Sequence, residues 1–147
     1  RTARAMGEWD GRCLKESGLY DDVEVGVPLP LHPVKRCRRG YNQSEYIAEG
    51  IAAQLGVEVD RRSVRRKRNT ESQALKARRD RARNVEDAFA VGRPGRLAGR
   101  HVLLVDDVFT TGSTMLSCAG EILRSAPGCR ISIAALAVSR HALGEKG

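Results

Sequence analysis

Aromatic residues are scarce in this sequence, six among 147, and none lies between positions 47 and 88. A platform that stacks the bases of single-stranded nucleic acid needs several rings close together, so that stretch cannot build one. Long apolar runs are missing as well. Nothing approaches the roughly 18 residues that span a bilayer, and the opening RTARAMGEWDG has no apolar stretch behind its charges, which argues against secretion and membrane insertion. The four cysteines, Cys13, Cys37, Cys118 and Cys129, stand singly, with no CxxC pair and no nearby histidine to complete a zinc site. They read as separate reduced thiols of a cytoplasmic protein. No repeat or low-complexity tract is present, and 41% apolar residues are too many for a disordered chain. The length suits one domain over residues 1–147, with residues 1–20 as an amino-terminal segment ahead of its first strand. The first residue is Arg, so a preceding segment stays open, and so does a homodimer as the oligomeric state.

Charge is abundant but uneven. The formal net charge is +8, and residues 61–83 hold 11 Lys and Arg against two acids, a local +9, so the remainder sums to −1. A shorter basic cluster, Lys35, Arg36, Arg38 and Arg39, ends at Gly40 and reads as a loop. Clustered Lys and Arg neutralise phosphates whatever their source, so the long segment could contact DNA, cover a polyanionic substrate or face solvent.

Residues 23–29 (VEVGVPL) suit a strand that leaves its sheet at Pro30 and Pro33. Asn42 with Glu45 three residues on resembles a capping box, and Ile47, Ile51 and Leu55 on one face before Gly56 predict a helix over 43–55. Short strands are expected at 57–59, 63–68 and 85–91, the last as an edge or hairpin strand, with a turn at Gly92, Arg93, Pro94 and Gly95. The unbroken Val102, Leu103, Leu104 and Val105 predict a strand buried on both faces of a parallel sheet. A helix over 114–125 follows, with its stripe placed on Leu116, Ala119, Gly120 and Leu123, and then a strand over 130–138. Strands alternating with helices at this spacing give an α/β domain with a mainly parallel twisted sheet and flanking helices.

The run VLLVDDVFTTGST, 102–114, carries the chemistry. A buried strand ends in Asp106 and Asp107, and a loop of hydroxyl residues and glycine leads into a helix start. In open α/β sheets ligands bind beyond the carboxyl ends of the strands. A helix amino terminus adds unpaired N–H groups and partial positive charge, and Gly112 lets the backbone approach closely. The pattern is a phosphate cradle behind two carboxylates. It is not a P-loop, since no Lys follows the glycine, and no GxGxxG is present.

This run resembles the ribose-phosphate signature of type I phosphoribosyltransferases, which bind phosphoribosyl pyrophosphate (PRPP). VPLPLHPVKRCRRGYNQSEYIAEGIA (27–52), with Gln73, Arg81, Asn84, Val85 and Phe89, is similar to stretches of the ComF-like competence family. The chain departs from that family in having Lys76 where a leucine is usual, and in lacking the four-cysteine zinc finger common at the amino terminus. The resemblance implies Asp106 and Asp107 on the ribose hydroxyls, as the catalytic pair. It also implies Thr110, Thr111, Gly112, Ser113 and Thr114 on the 5′-phosphate, and a pyrophosphate loop with Lys35, Arg38 and Arg39. Residues 61–90 would form a flexible lid or hood. The implied reaction is Mg²⁺-dependent transfer of ribose 5-phosphate to an unidentified nitrogen acceptor, with Mg²⁺ held mainly through PRPP and no protein metal site. Two other readings stay open: a PRPP-binding regulator without catalysis, and a DNA-uptake accessory that uses residues 61–83.

Overall fold

The computed structural model describes residues 2–31, 42–67, 88–109 and 112–138. Four parallel strands form the sheet, in the order β2, β1, β5, β6, with β1 at Val25–Pro28, β2 at Glu58–Val59, β5 at His101–Phe109 and β6 at Arg130–Val138. Helix α2 (Gln43–Leu55) connects β1 to β2, and α3 (Ser113–Ser125) connects β5 to β6. Successive residues of β5 point to opposite faces. Leu103 and Val105 join Ile47 and Ile51 of α2 on one side, whereas Val102 and Leu104 join Met115, Cys118 and Ile122 of α3 on the other. This double burial accounts for the continuous apolar run.

A two-stranded antiparallel ribbon, β3 (Val64–Arg66) with β4 (Phe89–Val91), stands apart from the main sheet, and Val64 and Phe89 pack into the α3-side core. A 3₁₀ turn at Pro94–Arg96 follows β4. The expected strands near 64 and 89 are therefore present as a hairpin-like pair. Most of the basic segment and the first part of 85–91 lie outside the described residues.

Two readings of the helices need correction. The amino-terminal segment, given no element from sequence, contains α1 (Thr2–Ser17), which packs along α2. Its buried residues are Gly7 and Gly11, and Gly50 of α2 faces them. A Cβ on Gly50 would run into the carbonyl oxygen of Arg4, and one on Gly7 into that of Ile47, so the two backbones touch directly. In α3 the buried stripe is Met115, Cys118, Ala119 and Ile122, while Leu116 and Leu123 are exposed. The helix has apolar residues on two adjoining faces, and the sheet takes the one rotated by a single position.

Among the described residues, no helix is long and apolar enough to cross a membrane.

Candidate active site

Asn42 sets the start of α2. Its Oδ1 accepts from the Ser44 amide (3.1 Å), and its Nδ2 donates to the Leu29 carbonyl at the end of β1 (3.1 Å). Leu29 N–H in turn donates to the Val105 carbonyl on β5 (2.8 Å). The ends of β1 and β5 and the beginning of α2 are thereby tied at one point, where the strands give way to a cavity of about 210 Å³.

Asp106, Asp107, Asn42, Ser44, Gly112 and Thr114 line that cavity, and Arg66 reaches it from β3. Two helices thus present their amino-terminal turns to one space, an arrangement that favours an anion. Gly112, the residue before α3, has φ 80°, and a Cβ there would come within 2.6 Å of the Phe109 ring. Only glycine fits that position without displacing Phe109.

The two carboxylates differ in their surroundings. Asp106 Oδ1 accepts from Ser44 Oγ (2.9 Å) and from the Asp107 amide (2.8 Å), while Asp107 Oδ1 accepts from the Val108 amide (2.9 Å). Burial pushes the Asp106 carboxyl up to about 6, and the neighbouring Asp107 charge adds to this, against the hydrogen bonds that favour its ionised form. Cys118 lies deeper, where desolvation pushes its thiol up to about 12 and leaves it without nucleophilic character at neutral pH.

Sequence reasoning missed Arg66 as a site residue, since it counted the arginine only as part of the basic segment. The guanidinium lies 5.1 Å from the centre of the Phe89 ring, and its Nε is buried without a hydrogen-bond partner. Burial draws its pKa below the ordinary arginine value, opposed by the negative charge of Asp106. The usable signal was the alternation Val64 in, Arg65 out, Arg66 in, on a strand whose partner carries Phe89. Of the residues expected on the 5′-phosphate, Gly112 and Thr114 line the cavity and Ser113 begins α3. Thr110, Thr111, Lys35, Arg38 and Arg39 lie outside the described residues.

Among the described residues no group of three or more His, Cys, Asp or Glu could hold a metal ion. A magnesium ion at this cavity would have to be carried mainly by oxygens of a bound ligand and by water, which this ion prefers to an all-protein cage.

A parallel sheet with paired acids near the carboxyl end of β5, which runs on to Phe109, and a glycine-led helix start beyond them matches the type I phosphoribosyltransferase class. The phosphoribosyl transferase domain model matches residues 42–146, and the chain belongs to that family, in its ComF-like competence branch. It is 38% identical over 99 residues to the DNA utilization protein YhgH of Escherichia coli K12, covering 67% of this chain and 43% of that protein. It is 34% identical over 93 residues to competence protein F of Haemophilus influenzae, covering 63% and 41%. The chain thus spans less than half the length of either relative. The fold is similar to that of glutamine PRPP amidotransferase from B. subtilis, solved with ADP and GMP, with a TM-score of 0.60, 17% identity, and 92% of this chain and 27% of that one covered.

Proposed function

We propose that this chain binds PRPP with Mg²⁺ and transfers its ribose 5-phosphate to a nitrogen acceptor. The observation that carries this reading is the convergence of Asp106, Asp107, the start of α3 and Arg66 on one cavity. In the reaction, an acceptor nitrogen forms a bond to ribose C1 and gives up its proton to solvent as the C1–O bond to pyrophosphate breaks and pyrophosphate leaves with the bonding pair. Magnesium carried by PRPP would supply neutralisation of the leaving group's charge. Positive charge develops on the ring in an oxocarbenium-like transition state. Asp106 and Asp107 hold the ribose hydroxyls, so the sugar is fixed while C1 moves between nucleophile and leaving group. The Gly112, Ser113 and Thr114 turn holds the 5′-phosphate, and Arg66, on the wall of the same cavity, faces the phosphates. Catalysis of this kind comes from positioning and charge stabilisation.

Titration calorimetry with PRPP, with and without Mg²⁺, tests the reading. Asp107→Ala should weaken binding roughly ten- to one-hundred-fold, the size of one lost charge-assisted hydrogen bond, at an unchanged melting temperature. Binding that survives Asp107→Ala, or a parent chain that does not bind at millimolar PRPP, removes the assignment. Acceptor-dependent pyrophosphate release then separates a transferase from a PRPP-binding regulator.

A DNA-handling role is the second reading. Relatives carry names that refer to DNA utilization and competence. Arg61, Arg62, Arg93 and Arg96 line a groove beside the hairpin, where Arg93 and Arg96 join the basic segment from about 30 residues away. Within the same groove Asp60 is already engaged by the amides of Arg62 and Ser63 and by the Ser63 hydroxyl. The salt dependence of DNA affinity, compared between parent and Arg62→Ala/Arg93→Ala, tests this, since each lost phosphate contact lowers the slope by about 0.9.

A further inference from the structure

We infer that Ser44 is a positioning residue for Asp106: through one hydroxyl it orients the carboxylate toward the ribose subsite and keeps it ionised for ligand binding. The inference rests on the PRPP reading for its ligand, but its geometry stands on its own.

Ser44 is 4% exposed and sits in the first turn of α2. Its amide is taken by Asn42 Oδ1, which fixes the backbone and leaves the side chain to act across the gap between α2 and β5. There the hydroxyl donates to Asp106 Oδ1 at 2.9 Å, a contact between residues 62 apart in sequence. Asn42 is itself anchored to the Leu29 carbonyl, so Ser44 Oγ stands on a frame shared by β1 and α2. A hydroxyl that merely capped its own helix would have no reason to reach the end of a strand on another element.

The need for such a donor follows from what else faces Asp106. Asp107 on the same strand disfavours its charge, and Arg66 on β3 favours it. Among the described cavity residues, α2 supplies Gln43 and Ser44, and α3 supplies Thr114 and Met115, none of which titrates. Burial already raises the Asp106 carboxyl to about 6, so a modest loss of stabilisation moves its titration into the neutral range. An acid that must accept hydrogen bonds from sugar hydroxyls works best ionised.

The decisive experiment follows the Asp106 side-chain carboxyl by carbon NMR across pH in the full chain without ligand, with the signal assigned through Asp106→Asn. Ser44→Ala should move the midpoint up by between about 0.5 and 1 pH unit, the scale of one hydrogen bond to a charge shared with a second donor. Ser44→Thr, which keeps the hydroxyl, should return it toward the parent. In parallel, PRPP–Mg²⁺ affinity should fall about two- to fivefold in Ser44→Ala near pH 6 and recover above pH 8. The 5′-phosphate titrates in the same range, but it does so in every variant, so the difference between variants isolates Asp106. A midpoint that stays put in Ser44→Ala, or an affinity loss equal at every pH, overturns the inference. If the parent does not bind PRPP, the function reading fails, while the ligand-free titration still decides whether Ser44 holds Asp106.

Discussion

The two ends of the parallel sheet treat charge in opposite ways. At the amino end, among the described residues, Asp22, Glu24, Glu58, Arg100 and Arg130 are joined by ion pairs, while the buried His101 Nδ1 sits near Asp22 without an aligned hydrogen bond. Asp22 lies 2.9 Å from Arg130 and 3.0 Å from His101 Nδ1, and His101 Nε2 lies 2.7 Å from Ser132 Oγ. Arg100 reaches Glu58 (2.9 Å), Glu24 (3.6 Å) and the Glu24 carbonyl (3.3 Å). Loss of hydration alone would raise Asp22, yet His101 and Arg130 hold it below the ordinary carboxylate value. At the carboxyl end Asp106 is raised, Asp107 stands beside it, and Arg66 keeps a buried Nε with no partner. The first end is arranged to hold strands together, and the second leaves groups short of partners where a ligand can supply them.

Substitutions should separate the two ends. The largest effect is expected from His101→Ala, which removes a ring that is 7% exposed and leaves Ser132 without its partner. Stability should fall by about 2–3 kcal/mol in urea unfolding, with PRPP affinity unchanged. A parallel fall in affinity would mean that the ends are coupled. Next comes Arg66→Met, which keeps much of the packing on Phe89 but removes the charge. PRPP binding should weaken about tenfold or more, while stability holds or rises slightly.

The smallest effect is the most diagnostic. Because the folded Asp106 carboxyl titrates near 6, above its ordinary 3.8, the folded state keeps a proton that the unfolded chain releases between those values. Stability should therefore fall as pH rises from about 4 to about 6, and the cost should be complete above that. Asp106→Asn should be more stable than the parent at pH 7 by about 1 kcal/mol, a figure reduced because water still reaches part of the group. The advantage should fade below pH 4, as unfolding curves at both pH values would show.

The carboxyl end was the more legible in sequence. A run of four apolar residues, two acids and a glycine-led turn has few structural interpretations, and β1, α2, β5, α3 and β6 all fall where periodicity put them. Strand β5 continues past the acids to Phe109, because Val108 and Phe109 pair with Ala137 and Val138 of β6, a partnership that one strand's residues cannot announce. Arg66 was hidden by its neighbours, since composition records a basic segment but not which arginine turns inward. Ser44 gave no signal at all, because its partner lies 62 residues away. Helix α1 was invisible for a different reason: apolar periodicity finds helices that bury side chains, and its buried positions are glycines.

That glycine contact bears on how the molecule comes apart. Helix α1 is held by close backbone approach, by partly buried Ala3 and Leu14, and by a surface ion pair from Arg4 to Glu49 of α2, while Trp9 and Met6 remain exposed. Its side-chain packing on the core is limited to those partly buried residues, whereas β5 is sealed on both faces. The amide hydrogens of α1 should therefore exchange through a partial opening that leaves the sheet intact and uncovers the flank of α2, the helix whose first turn holds Asp106, as hydrogen exchange would show. A substitution on the outer face of α1 should therefore be felt at the Asp106 cavity only through α2, as a change in the exchange of the α2 amides.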